Sequence, residues 1–153
     1  MVISLAAHEH ATAISELVFS AAQELRGIDF TEEGWSRFLT ANTVTEIERK
    51  LQNHEFLVFC YIESNRLLGF ISIKDAEKID QLFVLPEARK QCIATSLWTF
   101  AKSEALTKGA SGNFWVRSSR IAVPFYKKFG FSPEGDTQIL SGIRFQLMRL
   151  ATN

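Results

Sequence analysis

A short basic segment links a predicted strand to a predicted helix within residues 81–98, QLFVLPEARKQCIATSLW. The strand ends at Pro86, and residues 89–91 lead directly into the helix. Free backbone N–H groups and the positive end of the helix dipole meet at a helix start, which favours a phosphate or pyrophosphate. Cys92 and Ala94 are small, so a ligand could approach the backbone closely. Because most strand-loop-helix junctions bind no ligand, this segment by itself does not decide whether a phosphate site is present.

Hydrophobic periodicity predicts the elements that must position this segment. Helices are predicted at 9–25, within 27–42, from Thr43 onwards, from Ile93 to a break at 108–112, and from about Pro124. Strands are predicted at 2–7, 56–62, 67–73, 78–85, 113–116, 131–137 and 142–150, the last two as a hairpin. Three consecutive strands precede an alternation of helices and strands, which indicates an α/β fold with a mixed sheet and helices on its faces. We expect one domain over residues 1–153.

The predicted helix within residues 27–42 combines acidic side chains with the rings of Phe30, Trp35 and Phe38. We interpret it as a short helix whose rings fill the core. A rim that faces a substrate is the alternative interpretation.

Two segments resemble the signatures of the GNAT superfamily of N-acetyltransferases. LFVLPEARKQCIATSL, residues 82–97, is similar to the acetyl-CoA-binding segment, a strand ending in V-x-P-E before an Arg/Gln-x-x-Gly-x-Gly/Ala loop that opens a helix. VRSSRIAVPFYKKFGF, residues 116–131, is similar to the second signature, in the A/S-S-x-x-A-x-P-F-Y form of a bacterial branch. The residues that match the second signature are Ser119, Ala122, Phe125, Tyr126, Gly130 and Phe131. Both motifs occur at the right separation, which makes the resemblance fairly specific.

The resemblance implies a central, mostly antiparallel sheet that is splayed between its fourth and fifth strands, with helices on both faces. It also implies transfer of an acetyl group from acetyl-CoA to an amine, by direct attack while both are bound. Backbone groups of the strand would pair with the pantetheine arm, loop amides would hold the pyrophosphate, and an N–H near Val84 would stabilise negative charge on the thioester oxygen. The implied cofactor-binding residues are Leu82, Phe83, Val84, Arg89, Lys90, Gln91, Cys92, Ile93, Ala94, Thr95 and Ser119.

Two side chains are candidates for proton transfer. The resemblance implies that Tyr126 protonates the departing thiolate, whereas helical spacing alone would make it a core ring beside Ala122 and Phe129. Asp80, on the strand that leads to Val84, is our candidate for the base that deprotonates the amine. A polar strand-end residue that bonds its neighbours is the alternative for Asp80.

The first signature departs from the family pattern at three positions. Cys92 stands where Gly is usual, Lys90 where a second Gly is common, and Ala88 where an aromatic residue is common. A Cys side chain could crowd the pyrophosphate and weaken coenzyme A binding. The alternative function is therefore a non-catalytic acyl-CoA-binding or protein-interaction module on the same fold. A basic patch of Arg120, Lys127 and Lys128 is interpreted either as a 3′-phosphate contact or as an ordinary solvated helix face.

Composition weighs against other classes of protein. Lys plus Arg and Asp plus Glu number 17 each, so there is no overall attraction to nucleic acid. The two cysteines and three histidines have no zinc spacing, so we expect no metal. No apolar run approaches the ~18 residues of a membrane span, and the start of the chain lacks a signal-peptide pattern. We expect a cytoplasmic protein whose partner is a small-molecule or peptide amine. The sequence leaves open whether it forms a homodimer.

Overall fold

The computed structural model describes residues 2–151, in which strands and helices alternate much as the periodicity predicts. The strands are β1 Val2–Leu5, β2 Phe56–Glu63, β3 Arg66–Lys74, β4 Lys78–Val84, β5 Trp115–Ser118, β6 Phe131–Pro133, β7 Gln138–Leu140 and β8 Ile143–Leu150. The helices are α1 Ala11–Ala22, α2 Glu32–Ala41, α3 Val44–Gln52, α4 Ile93–Thr107 and α5 Val123–Lys128. Short 3-10 turns flank α1 on both sides, so the predicted helix at 9–25 is confirmed with modified ends.

One sheet runs through the molecule in the order β1-β2-β3-β4-β5-β8-β6, with β7 paired to β8. Its strand pairs are antiparallel except β4 and β5, which are parallel. The parallel pairing comprises only Lys78 with Trp115 and Ile79 with Val116, and β4 continues for five residues beyond it. The expected fold is therefore confirmed: a mostly antiparallel sheet, splayed between its fourth and fifth strands, with helices on both faces.

Apolar side chains from the sheet and from two long helices form the core. On α1, Leu17 and Val18 are almost fully buried, as are Leu97 and Ala101 on α4, because each helix repeats apolar residues on one face. Burying one such Leu stabilises the fold by about 1.5–3 kcal/mol. This packing fixes the two helices that lie beside the open part of the sheet.

The last third of the chain differs from the sequence prediction in two places. The strand predicted at 113–116 lies at Trp115–Ser118. The strand predicted at 131–137 is divided, so that β6 pairs with the end of β8 and β7 pairs with its start. Pro133 cannot donate a further ladder hydrogen bond, and Gly135 has a φ of 73°, so the chain turns between the two short strands.

The turn between β7 and β8 packs directly against the start of α2. The Thr31 hydroxyl caps α2 by accepting a hydrogen bond from the Gly34 N–H at 3.0 Å, and the Thr31 N–H donates to the Gly142 carbonyl at 2.9 Å. A Cβ on Gly34 would overlap the Gly142 carbonyl, and Gly142 itself has a φ of 79°. Only glycine fits this approach, which holds α2 over the splayed region of the sheet.

Candidate active site

The open edge of β4 carries backbone groups that no neighbouring strand uses. The Leu85 N–H donates to the Leu68 carbonyl at 2.8 Å, so these two residues form a hydrogen-bonded pair of the β3–β4 ladder. Because such pairs alternate along an antiparallel ladder, the backbone groups of Val84 and Leu82 point away from β3. The pairing of β4 with β5 has already ended at Ile79, so these groups face the splay.

The loop after β4 brings further backbone donors to the same place. Lys90 and Cys92 both adopt left-handed conformations, with φ values of 69° and 60°, and Cys92 is the N-cap residue of α4. The first hydrogen bond of α4 runs from the Ser96 N–H to the Cys92 carbonyl at 3.0 Å. No side chain caps this helix start, so the N–H groups of residues 93–95 remain available to an anionic ligand.

A cavity of about 400 Å³ lies between the open edge of β4, the start of α4 and α5. Every predicted cofactor-binding residue except Gln91 lines it, and the Gln91 side chain is exposed. The predicted residues in its lining are Leu82, Phe83, Val84, Arg89, Lys90, Cys92, Ile93, Ala94, Thr95 and Ser119. Residues that are up to 37 positions apart in the chain thus lie around one cavity, with the donors of the loop at one end.

The Arg89 side chain is engaged with α1 rather than free in the loop. Its guanidinium lies 2.6 Å from a carboxylate oxygen of Glu24 and donates to the Ala21 carbonyl at 3.4 Å. Glu24 itself lines the cavity. The positive charge of Arg89 is therefore partly balanced within the protein. Among the described residues, the backbone amides at the start of α4 have no such partner and are the donors more available to a ligand.

A second cavity of about 450 Å³ lies on the other side of the splay, under α2 and the β7–β8 turn. The two cavities share a wall that consists of Leu25, Leu82, Phe83, Ser119, Ala122 and Tyr126. A group bound in the first cavity and a group bound in the second would therefore meet where β4 and β5 separate.

Tyr126 belongs to the wall that the two cavities share. Its residue is 5% exposed, and its ring packs against Phe125 and Phe131 with centroid distances of 5.2 and 5.4 Å. Burial raises the pKa of Tyr126 above its ordinary value of 10.0. Within residues 2–151, every fully buried polar side-chain atom has a hydrogen-bond partner. The Tyr126 hydroxyl has no partner among these residues, so it is not one of the fully buried atoms. The hydroxyl is therefore accessible from the cavities.

Asp80 lines the second cavity at a bulge in β4. Ser72 pairs with Gln81 and the next β3 residue pairs with Ile79, so Asp80 is the extra residue of β4. Its Oδ2 atom accepts hydrogen bonds from the Lys50 ammonium at 2.8 Å and the Ser72 hydroxyl at 3.0 Å. The carboxylate is thus held in place, and its role as a base remains a prediction.

A family model for the acetyltransferase (GNAT) domain matches residues 27–152. The chain belongs to this family. The match includes most of the lining of both cavities and every strand of the sheet except β1, so the resemblance that the two signatures carry is confirmed.

Solved structures share the GNAT fold along nearly the whole chain. A GCN5-related N-acetyltransferase from Rhodopseudomonas palustris has a TM-score of 0.84 at 20% identity, covering 99% of this chain and 95% of the other. The PaiA N-acetyltransferase from Thermoplasma acidophilum, solved with coenzyme A, has a TM-score of 0.82 at 19% identity, covering 99% and 100%. The ribosomal-protein-S18-alanine N-acetyltransferase from Escherichia coli has a TM-score of 0.70 at 16% identity, covering 97% and 92%. Among curated proteins no sequence match is found.

Sequence reasoning missed most of the polar lining of the second cavity in this GNAT domain. Lys50, Arg117 and Arg144 come from three separate elements, and no local pattern marks them. Phe30 and Phe38 could have been found, since the substrate-facing rim was the alternative interpretation of residues 27–42. Both rings line the second cavity, while Trp35 is 5% exposed.

Arg120 has a different partner from the one considered for it. Its Nε atom lies 2.9 Å from Oδ1 of Asp29, whose side chain is 2% exposed, and its backbone N–H donates to Oδ2 at 3.2 Å. This ion pair joins the chain before α2 to the turn before α5. The Arg120 guanidinium is thus paired with a carboxylate of the protein itself, on the side of the molecule where Asp29 lines the second cavity.

The described residues 2–151 of the GNAT domain show three further features. None of the helices there combines the length and apolar character needed to cross a lipid bilayer. His, Cys, Asp and Glu side chains in that part of the chain form no group of three that could hold a metal ion. Both cysteines are free thiols, Cys60 buried and Cys92 exposed.

Proposed function

We propose that this GNAT domain transfers an acetyl group from acetyl-CoA to an amine of a small molecule or peptide, by direct attack while both substrates are bound. The observation that carries the proposal is the wall shared by the two cavities, with the accessible Tyr126 hydroxyl in it. Two separate cavities that meet at one point suit a reaction between two bound molecules, because proximity supplies much of the rate.

The first cavity fits acetyl-CoA, which supplies the acyl group as a reactive thioester. The unused backbone groups of Leu82 and Val84 would pair with the pantetheine arm as an added strand would. The amides of residues 93–95 and of the loop before them would hold the pyrophosphate. A backbone N–H of β4 would also donate a hydrogen bond to the thioester oxygen and stabilise the negative charge that develops on it.

Tyr126 would donate its hydroxyl proton to the departing thiolate. A phenol with the ordinary pKa of 10.0 is already protonated at neutral pH, and burial raises the pKa of Tyr126 further, so the hydroxyl carries the proton that a donor needs. The packing of its ring against Phe125 and Phe131 would hold the hydroxyl at one position.

Asp80 would accept the proton that the acceptor ammonium must lose before it attacks. Its carboxylate lies in the second cavity, and the Lys50 and Ser72 contacts to Oδ2 fix its orientation. The bulge in β4 turns this side chain toward the acceptor side of the sheet. In this proposal the reaction takes place in the cytosol, with both thiols reduced.

A non-catalytic coenzyme A-binding module is the second candidate. The observation that favours it is the pair of side chains at the left-handed positions Lys90 and Cys92, where the family usually has glycine. The Arg89–Glu24 ion pair also reduces the charge available to phosphates. Such a module would bind coenzyme A and release no thiol from acetyl-CoA with any amine.

Tyr126→Phe tests the proposal because it removes one hydroxyl and keeps the ring. We expect coenzyme A to bind normally and kcat to fall by about 10²–10⁴-fold, the usual contribution of a general acid. The assay is thiol release from acetyl-CoA with polyamines, aminoglycosides, amino acids and peptides as acceptors. Tyr61→Phe is the matched control, since Tyr61 is the other tyrosine and is also buried, but lines neither cavity.

An unchanged kcat for Tyr126→Phe, measured where chemistry limits the rate, would remove Tyr126 from the mechanism. Thiol release by the natural protein together with a normal Tyr126→Phe would leave acetyl transfer in place and assign the acid elsewhere. Absence of coenzyme A binding at millimolar concentration would contradict both candidate functions.

A further inference from the structure

The second cavity is richer in cationic than in anionic side chains, although the whole chain has a formal net charge of zero. Because the protein as a whole is neutral, this local excess of cationic side chains results from where the fold places them and not from the overall composition. The charged residues in the lining are Arg37, Lys50, Arg117, Arg144, Asp29 and Asp80.

Both carboxylates of this cavity already have cationic partners. Asp80 pairs with Lys50 at 2.8 Å, and Asp29 pairs with Arg120 at 2.9 Å. A polycationic acceptor would therefore find no carboxylate that is free of a competing cation. Displacing either pair would leave a partly or fully buried charge unpaired, which is costly.

Two guanidinium groups in the cavity have no carboxylate partner. Within residues 2–151, no ion pair involves Arg117 or Arg144, whereas the remaining arginine of the lining, Arg37, pairs with Glu33 at 3.0 Å. Neither of the two unpaired side chains is buried. Both charges are consequently available to a ligand in the cavity.

Neighbouring residues position the side chain of Arg117 and the backbone of Arg144. The Arg117 guanidinium lies over the rings of Trp115 and Phe145, 5.7 and 5.3 Å from their centroids. The backbone N–H of Arg144 donates to the Asp29 carbonyl at 2.7 Å, which anchors the start of β8. Stacking on aromatic faces leaves the hydrogen-bonding edge of a guanidinium free for an anion.

We propose that the acceptor amine carries an anionic group, a carboxylate or a phosphate, which Arg117 and Arg144 bind in the second cavity. This inference rests on the proposed function and names the substrate class of the same site. Guanidinium groups match the planar oxygen pairs of carboxylates and phosphates and form charge-assisted hydrogen bonds with them. The same two charges repel polyamines and aminoglycosides, so the cavity selects against polycations as well as for anions.

The experiment compares acceptors that differ only in the anion. L-amino acids are compared with their carboxamides, and O-phosphoethanolamine with ethanolamine, while spermidine and kanamycin represent the polycations. Thiol release gives kcat/KM for each, and calorimetry gives the affinity of each acid for the protein saturated with coenzyme A. We expect at least one acid to exceed its neutral counterpart by about tenfold to a hundredfold, the usual effect of losing a hydrogen bond to a charged group.

Arg117→Gln and Arg144→Gln should each reduce that preference by about tenfold or more. The matched control is Arg149→Gln, an exposed arginine on the same strand as Arg144 that pairs with Glu134 and does not line this cavity. The control should leave the preference unchanged. The carboxylate and phosphate pairs show separately which anion is recognised.

Equal transfer to acids and carboxamides, or a preference for spermidine or kanamycin, would overturn the inference. Absence of measurable calorimetric affinity for every acid of the panel would also overturn it. Failure to acetylate any member of the panel, by protein that binds coenzyme A, would instead overturn the proposed function in favour of the non-catalytic module, and failure to bind coenzyme A would overturn both candidate functions.

Discussion

Replacing Cys92 by glycine should stabilise the fold and leave coenzyme A binding equal or tighter. Cys92 has φ 60° and ψ 22°, the left-handed conformation, at the N-cap of α4. That conformation costs an L-residue about 1–2 kcal/mol, and glycine adopts it freely. The added freedom of glycine in the unfolded chain offsets about 0.4–1 kcal/mol of this gain. We therefore expect the free energy of unfolding to rise by about 0.5–1 kcal/mol.

The substitution should affect coenzyme A binding by giving the ligand more room, since it changes no charge. The Cys92 side chain is exposed and lines the first cavity beside the free amides of α4. It makes no capping hydrogen bond that glycine would lose. Removing it opens the approach to these amides, so the dissociation constant should stay the same or fall.

Cys92→Ala is the matched control because it removes the thiol and keeps the Cβ atom. Urea unfolding, with an unchanged m-value, gives the stability of each variant, and calorimetry gives the affinity for coenzyme A. If the left-handed backbone is the cause, only glycine stabilises. An alanine variant as stable as the glycine variant would refute this reasoning, and weaker coenzyme A binding by the glycine variant would show that the thiol makes a favourable contact.

Three further predictions concern other parts of the molecule. Gly142→Ala should lower the free energy of unfolding by about 2–4 kcal/mol, because its Cβ atom would meet the start of α2. Gly27→Ala is the control: a Cβ atom there has nothing within 4 Å, so the free energy of unfolding should change by less than about 1 kcal/mol. Similar denaturation midpoints for the two variants would contradict this prediction. Burial raises the pKa of Cys60 from 9.0 to about 12, so its contribution to stability is complete below pH 9 and is lost as the pH rises towards 12. Between pH 8 and pH 10, the free energy of unfolding of the natural protein should fall by about 1.4 kcal/mol more than that of Cys60→Ala. Equal decreases for the two proteins would show that ionisation of Cys60 does not cause the loss. The pKa of Tyr126 is raised above 10.0, so its hydroxyl stays protonated and kcat/KM should not decline below pH 10. Over the same range kcat/KM should rise with pH as the acceptor amine loses its proton. A decline in kcat/KM centred near pH 8–9 would exclude Tyr126 as the acid.

The sequence predicted the fold well wherever one residue type imposes a local constraint. Pro86 ends β4 because it cannot continue the ladder, and Pro124 lies in the first turn of α5, where it loses no helical hydrogen bond. The Ser119 hydroxyl accepts from the Ala122 N–H at 3.2 Å, which produces the turn expected before that helix. The resemblance to the GNAT family was recognised from the same two segments, and the family match over residues 27–152 confirms it.

Features that depend on distant contacts could not be predicted in this way. β7 needs β8 as its partner, and its three residues carry no alternation strong enough to mark a strand. The bulge at Asp80 arises from the register between β3 and β4, which the sequence of either strand leaves undetermined. The ion pair of the exposed Arg120 with the buried Asp29 joins residues 91 positions apart.

The same distinction separates the two cavities. The first presents backbone groups of β4 and of the start of α4, and backbone groups are placed by the order strand, loop and helix, whatever side chains occur. Most of its predicted residues could therefore be found from one continuous segment, 82–95, and Ser119 was found from the second signature. The second cavity depends on side chains such as Arg117 and Arg144, which come from different strands and meet only when the sheet has formed. Since the proposed recognition of the acceptor depends on those side chains, the acceptor's chemistry had to be inferred from the structure, whereas the resemblance of residues 82–97 to the family segment already implied acetyl-CoA as the donor.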